Sequence, residues 1–551
     1  MGGIPPLKPI RKMLVANRGE IARRVFRACN ELGIATVAVY SEADRDAPHV
    51  RDARDAVFIG PAPSRESYLS IAKIIAAVQR TGADAIHPGY GFLAENADFA
   101  AACEAAGIVF IGPRSETIRA MGSKIEARRG AMRAGVPVIP SEGFPLLVKA
   151  AAGGGGKGMR RVDRAEDLEE AMAAAKREAE ASFGDGTLLV ERYIEGARHI
   201  EVQIAGDAYG KVTHLFEREC SVQRRHQKIL EESPVPNLAP ELRGEILDAA
   251  VRIGRGIGYS SLGTVEFLVA PSGEFYFLEV NTRIQVEHPV TEMILGFDLV
   301  RMQIEVAEGR ALELKNLTPR GHAIEARLYA EDAEKGFVPS TGKILAWRVP
   351  EGVRVESGIE VGSEIGIHYD PLLAKIIGHG STRVGAIRKL RHALEDLLVH
   401  GVITNREFLI CVLDHPDFVN GRVSTDFAIS FEHDRSGEAE SKAALEVYLA
   451  AQWQASRKIL PQVPAGYRNN PFAAEQPPSK VKIASIAQGR LRVEIDGVQR
   501  EYVISEEANY YWVDGHIFPR VPRYPASGSR ASRESASSPM PGQVLRILVS
   551  Q

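Results

Sequence analysis

Glu266 and Glu279 are the residues from which the chemistry of this chain can be read. Each lies in a run rich in aromatic and branched side chains, Gly263-Thr-Val-Glu-Phe-Leu-Val-Ala270 and Glu274-Phe-Tyr-Phe-Leu-Glu-Val-Asn281, the composition of β-strands. Pro271-Ser-Gly-Glu274 between them has the composition of a hairpin turn. Pairing Ala270 with Phe275 sets Glu266 directly opposite Glu279, an arrangement that like-charge repulsion destabilises. A cation between the two removes that penalty. Two carboxylates and the carboxamide of Asn281, two residues on and on the same face, are hard oxygen donors of the kind Mg²⁺ takes alongside waters and substrate phosphates. Beyond Asn281, the residues Arg283, Gln285 and Glu287 alternate with Ile284 and Val286. One strand face would then present amide, guanidinium, amide and carboxylate in order. Such a face is either solvated surface or an anion-handling site, and the opposed glutamates favour the second.

Two further stretches have the makings of anion sites. The strand-like run Pro145-Leu-Leu-Val-Lys-Ala150 carries one cation, Lys149, and is followed by Ala151-Ala-Gly-Gly-Gly-Gly-Lys-Gly-Met159. The consecutive glycines Gly153, Gly154, Gly155 and Gly156 can wrap backbone N–H groups around phosphate oxygens. Met159 stands where a Walker loop needs a hydroxyl, so the spacing is not that of Gly-x-x-x-x-Gly-Lys-[Ser/Thr]. Glu217-Arg-Glu-Cys-Ser-Val-Gln-Arg-Arg-His-Gln-Lys228 is dense in cations and amides and reads as a basic loop. Its alternatives are a small-anion site and a solvated surface loop.

Three kinds of element must position these residues. Lys12-Met-Leu-Val-Ala16, a helix opened by Asn17-Arg-Gly-Glu20, and Ile34-Ala-Thr-Val-Ala-Val-Tyr40 form a strand–helix–strand unit, which implies a parallel sheet. Ala83-Asp-Ala-Ile-His87 adds a strand, and Pro88-Gly-Tyr-Gly-Phe92 follows it. A turn there is either a ligand turn at the carboxyl end of an open sheet or a plain turn. A small α+β unit is expected from the Lys149 strand, a helix over about 165–182 and the strand Thr187-Leu-Leu-Val-Glu-Arg-Tyr193, with the character of a mobile lid. Ile200–Ala205 and Val212–Phe216 alternate as an antiparallel pair. Helices over 240–254, 298–308 and 382–398 and strands over 324–329 and 353–357 complete this part, near residue 435.

From Ser436 the composition shifts to an alanine-rich helix over 438–458 and short alternating segments between 480 and 512. Leu445, Tyr448, Leu449 and Trp453 make one apolar stripe on that helix. The low-complexity stretch from Pro525 to Pro539 reads as a flexible linker.

With 551 residues the chain has room for about three or four domains. Its 45% hydrophobic and 25% charged content and net charge of -3 describe a soluble globular protein. They suggest neither a nucleic-acid partner nor a membrane surface. The start lacks the apolar core of a signal peptide and the arginine-rich pattern of a transit peptide. The four cysteines are far apart and form no Cys-x-x-Cys pair, as in a reduced, cytoplasmic protein.

Taken together, residues 10–435 resemble the biotin carboxylase component of biotin-dependent carboxylases, a branch of the ATP-grasp superfamily. The motifs that carry the resemblance are Ala16-Asn-Arg-Gly-Glu-Ile-Ala22, His87-Pro-Gly-Tyr-Gly-Phe92, the glycine run, Gln223-Arg-Arg-His-Gln-Lys228 and Glu279-Val-Asn-Thr-Arg-Ile-Gln-Val-Glu-His-Pro-Val-Thr-Glu292. The resemblance implies a multidomain α/β and α+β fold. Its parts would be an N-terminal parallel-sheet domain (1–123), an ATP-grasp lid (124–206), a central and C-terminal domain (207–435), a small β-rich connecting domain (436–525) and a linker with the first strand of a biotinyl carrier (526–551).

The resemblance also implies site roles. ATP is contacted by Lys124, Lys149, Gly154, Gly155, Gly156, Glu191, Ile194, His199, Gln223, His226 and Leu268. Mg²⁺ or Mn²⁺ is held by Glu266 and Glu279, with Asn281 behind them. Bicarbonate lies against Lys228, Arg283, Gln285, Val286 and Glu287, with Glu287 as general base. Tyr90 and Arg354 serve biotin, Arg354 as a fixed cation where negative charge develops. The implied reaction activates bicarbonate with ATP as carboxyphosphate and transfers carbon dioxide to biotin.

Two departures from the family pattern stand out. The connection between Lys124 and Lys149 is short, and the Ala-Met-Lys-Met biotin acceptor motif is absent, so biotin is expected on a separate or missing carrier segment. The region 440–525 resembles the connecting domain of acyl-CoA carboxylase α subunits, which docks a carboxyltransferase β subunit, and a homo- or hetero-oligomer is expected. The alternatives are the corresponding part of a pyruvate or urea carboxylase, another ATP-grasp ligase, and a catalytically silent scaffold.

Overall fold

A computed structural model describes residues 7–150, 159–183, 185–224, 227–314, 317–427, 438–455, 481–487, 490–495, 497–507 and 509–520. The expectations placed on Gly154, Gly155, Gly156, His226, the Trp453 side chain and the stretch beyond residue 520 fall outside these.

The N-terminal strands β1 (Lys12–Val15), β2 (Ala35–Ser41), β3 (Asp55–Gly60), β4 (Ala85–His87) and β5 (Val109–Phe110) form a parallel sheet in the order β3-β2-β1-β4-β5. Short apolar runs separated by amphipathic helices give this arrangement because both sheet faces are covered. The chain reverses direction across the sheet between β1 and β4, the position where open α/β sheets form a crevice. Asn17 follows β1 and spans that crevice, its Nδ2 donating to the carbonyls of Pro88 at 2.8 Å and Tyr90 at 2.7 Å. Gly89 turns between them with φ +63, and a Cβ there would stand 2.9 Å from Asn17 Nδ2. The turn after β4 is therefore locked to the turn after β1.

The strands β6 (Leu146–Ala150), β7 (Arg160–Val162) and β8 (Leu188–Arg192) make a small antiparallel sheet, with β6 in the middle. The helix Leu168–Phe183 covers it through Leu168, Ala171 and Ala175. The short connection after the helix Lys124–Arg133 is tied to both neighbours. Pro137 accepts from the Phe277 N–H at 2.8 Å, and Pro140 accepts from the Arg192 N–H at 2.7 Å.

The body of the molecule is an eight-stranded antiparallel sheet. In spatial order it runs β13 (Phe275–Asn281), β12 (Ser261–Val269), β9 (Arg198–Gly206), β10 (Val212–Arg224), β11 (Gln227–Ser233), β14 (His322–Tyr329), then the strands Leu372–Gly380 and Arg354–Ser357. Three sequence expectations change here. The stretch from Glu217 to Lys228 is no basic loop: β10 continues through Arg224 and β11 begins at Gln227. Its charges pair inside the sheet, where Arg218 is fully buried against Glu201 at 2.5 Å. Near the hairpin turn Phe275 pairs with Val269, one residue short of Ala270, and a bulge between Glu266 and Phe267 restores Glu266 opposite Glu279. The run from Arg283 to Glu287 is an extended segment outside the sheet, because β13 ends at Asn281 and Pro289 opens the helix His288–Leu295. Its alternation nevertheless holds, with Ile284 buried in the core.

The C-terminal module joins the helix Glu438–Ala455 to five antiparallel strands, Val481–Ala487 to His516–Pro519. Leu445 and Tyr448 of the stripe pack on this module's own Leu491, Val493, Tyr502 and Phe518. Among the described residues no helix is long and apolar enough to cross a membrane.

Replacing Asn17 with Ala strands two carbonyls in the crevice, one of them buried. Urea unfolding of Asn17→Ala is expected to show a loss of about 1–3 kcal/mol.

Candidate active site

A cavity of about 550 Å³ opens between the small sheet and the large one. Lys124, Lys149, Glu191, Ile194, His199, Gln223 and Leu268 line it, and so do Glu266, Glu279, Asn281, Lys228, Arg283, Gln285 and Val286. Lys149 projects from β6 onto Glu191 of β8, which also takes Arg128 at 3.0 Å. Lys124 donates to the Ala150 carbonyl at 2.9 Å. Burial first, and then the nearby Lys149, hold Lys124 below the usual lysine range. Two lysines thus stand close together at one end of the cavity, an arrangement that suits a polyanion.

The floor is the sheet itself. Glu266 Oε1 accepts from Lys228 at 2.8 Å, Asn281 at 2.9 Å and Gln285 at 3.0 Å, and its Oε2 faces His199 Nε2 at 2.8 Å. Gln223 Nε2 lies 2.7 Å from the other ring nitrogen of His199. Glu279, directly opposite, is half-buried and has no ion-pair partner among the described residues. The pair titrates apart as close carboxylates do. Burial opposes charge on Glu266, yet Lys228 and His199 hold it below the usual range. Burial, then Glu266 and Glu95, push Glu279 up. A carboxylate without a cation, facing a second one at the end with the lysines, fits a hard divalent ion.

Lys228 is the hub. Its ammonium meets Glu201 at 2.5 Å, Glu266 at 2.8 Å and Glu287 at 2.7 Å. Burial works against its charge, but the three carboxylates raise it well above the usual lysine range. Glu287 does not line the cavity; it is fully buried behind Lys228. Arg283 Nη1 reaches Gln285 Oε1 at 2.5 Å and Nη2 reaches Asn281 Oδ1 at 2.8 Å, while Glu95 holds its Nε at 3.1 Å.

Tyr90 and Arg354 stand outside the cavity. The Tyr90 hydroxyl bonds Glu20, whose other oxygen lies 3.2 Å from Lys375. Lys375 in turn donates to the Val286 carbonyl at 2.9 Å. Arg354 is held by Glu292 at 2.7 Å and Glu356 at 2.6 Å.

Several lining residues escaped the sequence reading, among them Arg327, Tyr329, Asp370, Arg161 and Asp426. A signal existed for two. Ile324-Glu-Ala-Arg-Leu-Tyr329 places Glu325, Arg327 and Tyr329 on one face of an otherwise apolar strand. The others sit on segments with no periodicity to betray them.

Known proteins resemble this chain over most of its length. Residues 9–118 match the family model of the biotin carboxylase N-terminal domain, and 325–429 match that of the biotin carboxylase C-terminal domain. Residues 119–315 match the ATP-binding domain of the carbamoyl-phosphate synthase L chain. Biotin carboxylase 2 of Bacillus subtilis is 50% identical over 437 residues, covering 76% of this chain and 98% of that protein. The chain belongs to the biotin carboxylase family. It is also similar to the mitochondrial methylcrotonoyl-CoA carboxylase subunit alpha of Oryza sativa, 51% identical over 448 residues, or 77% of this chain. The chain spans only 61% of that relative's length. The biotin carboxylase domain of the 2-oxoglutarate carboxylase of Hydrogenobacter thermophilus, solved with MgADP, ADP and bicarbonate, superposes with a TM-score of 0.75. It is 44% identical, with 77% of this chain and all of that domain covered.

Two outcomes follow from the floor's charges. Glu279→Gln removes one of two opposed carboxylates, so the metal-free protein should melt at the same or a slightly higher temperature. The Mg²⁺ concentration needed for half-maximal turnover should rise; a marked fall in melting temperature with unchanged Mg²⁺ dependence counts against the metal site. Glu325 is fully buried with neither oxygen hydrogen-bonded. Burial raises it well above the usual range, Lys375 opposes, and Glu231 across the ladder adds to the rise. A carboxyl raised in the folded state contributes stability that is full below its unfolded value, about 4.3, and is lost as pH rises through the folded value. Glu325→Gln should therefore flatten the fall of stability above about pH 4.3, read by urea midpoints across pH.

Proposed function

We propose that this chain catalyses the ATP- and bicarbonate-dependent carboxylation of protein-linked biotin through carboxyphosphate, as the first half-reaction of an acyl-CoA carboxylase. The observation that carries the reading is the sharing of one cavity by two lysines at one end, an opposed carboxylate pair on the floor, and the Lys228, Arg283 and Gln285 cluster beside it. Lys124 and Lys149 bind the nucleotide phosphates. His199, Gln223, Glu191, Ile194 and Leu268 shape the remainder of its pocket. Glu266 and Glu279 would hold Mg²⁺, with Asn281 supporting Glu266, and the ion would offset negative charge during phosphoryl transfer.

Lys228 and Arg283 draw bicarbonate in, and Gln285 and the Val286 backbone orient it. Glu287, ionised and screened from solvent, takes its proton. Arg354 and Tyr90 serve biotin from outside the nucleotide cavity. Tyr90 connects with the bicarbonate end through Glu20 and Lys375, which reaches the Val286 carbonyl. The region 436–525 docks a carboxyltransferase partner; exposed Leu449, Val498 and Tyr510 on its surface support this reading. Biotin arrives on a carrier segment, and the sequence similarity to the methylcrotonoyl-CoA carboxylase α subunit supports the acyl-CoA assignment.

The purified protein should cleave ATP in a bicarbonate-dependent way, and free biotin should accelerate it. Arg354→Ala should retain the slow biotin-independent cleavage and lose the acceleration. Loss of both in Arg354→Ala, with the fold intact, would place Arg354 in the nucleotide half of the reaction.

A further inference from the structure

The charges around Lys228 leave one question that the roles above do not answer: what keeps Glu287 ionised once Lys228 turns to bicarbonate. An ammonium has three protons to donate, and all three of Lys228 go to carboxylates, Glu201, Glu266 and Glu287. Any anion bound by Lys228 displaces at least one of them. Glu201 retains Arg218 at 2.5 Å, and Glu266 retains His199, Asn281 and Gln285. Among the described residues, the one ion-pair partner Glu287 retains is Arg327, whose Nη2 lies 3.0 Å from its Oε2.

Resting on the base role given to Glu287, we propose that Arg327 is a positioning residue that keeps the Glu287 carboxylate ionised and aimed while Lys228 engages bicarbonate.

Arg327 is built for a fixed position. Asn405 donates from Nδ2 to the Arg327 carbonyl at 3.0 Å and accepts from the Tyr329 N–H at 2.9 Å, pinning β14 at both residues. The same guanidinium nitrogen that meets Glu287 also meets Glu231 of β11. Burial lifts Glu231 to about 7 against the pull of Arg327. Below neutral pH the Arg327 charge therefore falls to Glu287.

Other charged groups surround Glu287 from each packed element: Arg218 and Cys220 on β10, Glu201 on β9, Lys228 and Glu231 on β11, and Glu325 beside Arg327 on β14. Lys375, on the strand Leu372–Gly380, reaches the neighbouring Val286 carbonyl, and Arg283 carries the cation on the cavity side. Burial opposes charge on Glu287, and Lys228, then Arg327, then Arg218 hold it well below the usual carboxylate range. Arg218 is already bonded to Glu201, Gln203, Thr264 and Thr291. Arg327 is the cation left to the base.

The test is the acid limb of kcat for bicarbonate-dependent ATP cleavage, measured at saturating bicarbonate, where kcat reports the complexed enzyme. Because Glu231 shares the Arg327 guanidinium and its own titration would overlap the limb, the comparison is made in the Glu231→Gln background. Glu231→Gln by itself should leave the limb in place. Adding Arg327→Met should move it to higher pH by about 1 unit or more. Adding Arg327→Lys in its place should return it most of the way. A uniform fall in kcat across pH, a limb moved by Glu231→Gln as far as by the double variant, or no recovery with lysine overturns the proposal. Wild-type protein with no bicarbonate-dependent cleavage overturns the base reading itself, and is distinguished from the others by appearing before any substitution.

Discussion

The contact between Lys228 and three buried carboxylates is the constraint on which the rest of the site depends. Burying ions is expensive, and a buried pair repays its desolvation only with good geometry and further hydrogen bonds. Here each of the three acids has a second cationic or polar partner: Arg218 for Glu201, His199 for Glu266 and Arg327 for Glu287. The cluster is balanced within itself. Glu279, across the hairpin, is left outside that balance, with Lys124 and Lys149 acting only at a distance. An extra cation is therefore favoured at the Glu279 end of the cluster, where Glu266 stands opposite it.

The sheet makes this possible because its strands are read on one face. Glu201 and Gln203 on β9, Glu266 on β12 and Arg327 on β14 stand in strands whose neighbouring positions, such as Val202, Ile204, Val265, Phe267, Ala326 and Leu328, are apolar and buried on the other face. Deep burial of so many charges follows from the covering above them. The extended segment from Thr282 to Glu287 lies along the sheet end, with Ile284 in the core between this sheet and the parallel one. Arg283 is anchored by Glu95 from the N-terminal unit. The anion cluster is thus assembled from both sheets, and the crevice lock by Asn17 sits beside it through Tyr90, Glu20 and Lys375.

Much of this was legible in the chain, for a physical reason. The opposition of Glu266 and Glu279 and the alternation from Asn281 to Glu287 are local: they need only strand period and a short turn. The turn register itself was misread by one residue, and the bulge at Phe267 compensated, because bulges leave little trace in composition. The stretch from Glu217 to Lys228 was misread for a related reason. Seen along the chain, Arg218, Glu219, Arg224 and Lys228 look like solvated surface. Their partners Glu201, Arg198, Glu331 and Glu287 come from other segments of the chain, and only the fold brings them together. Arg327 and Asn405 were missed on the same ground, since their contacts span 40 and 78 residues of sequence.

The C-terminal module packs around a core of its own. Leu445 and Tyr448 of its helix stripe pack inside, with Leu491, Val493 and Tyr502. Its contacts with the body include polar ones: His400 with Ser505 at 2.9 Å and with the Gly515 N–H at 3.3 Å, and Arg406 with the Asp514 carbonyl at 3.3 Å. Burial and the neighbouring Arg406 hold His400 down to about 3, so it stays neutral and serves as a hydrogen-bonding wedge against Trp512. Polar contacts of this kind resemble a transient interface more than an apolar core. Arg406 is also the residue next to Asn405, which pins Arg327 and Tyr329. One of the module's contacts thus lies a single residue from the side chain that holds the strand carrying the partner of Glu287.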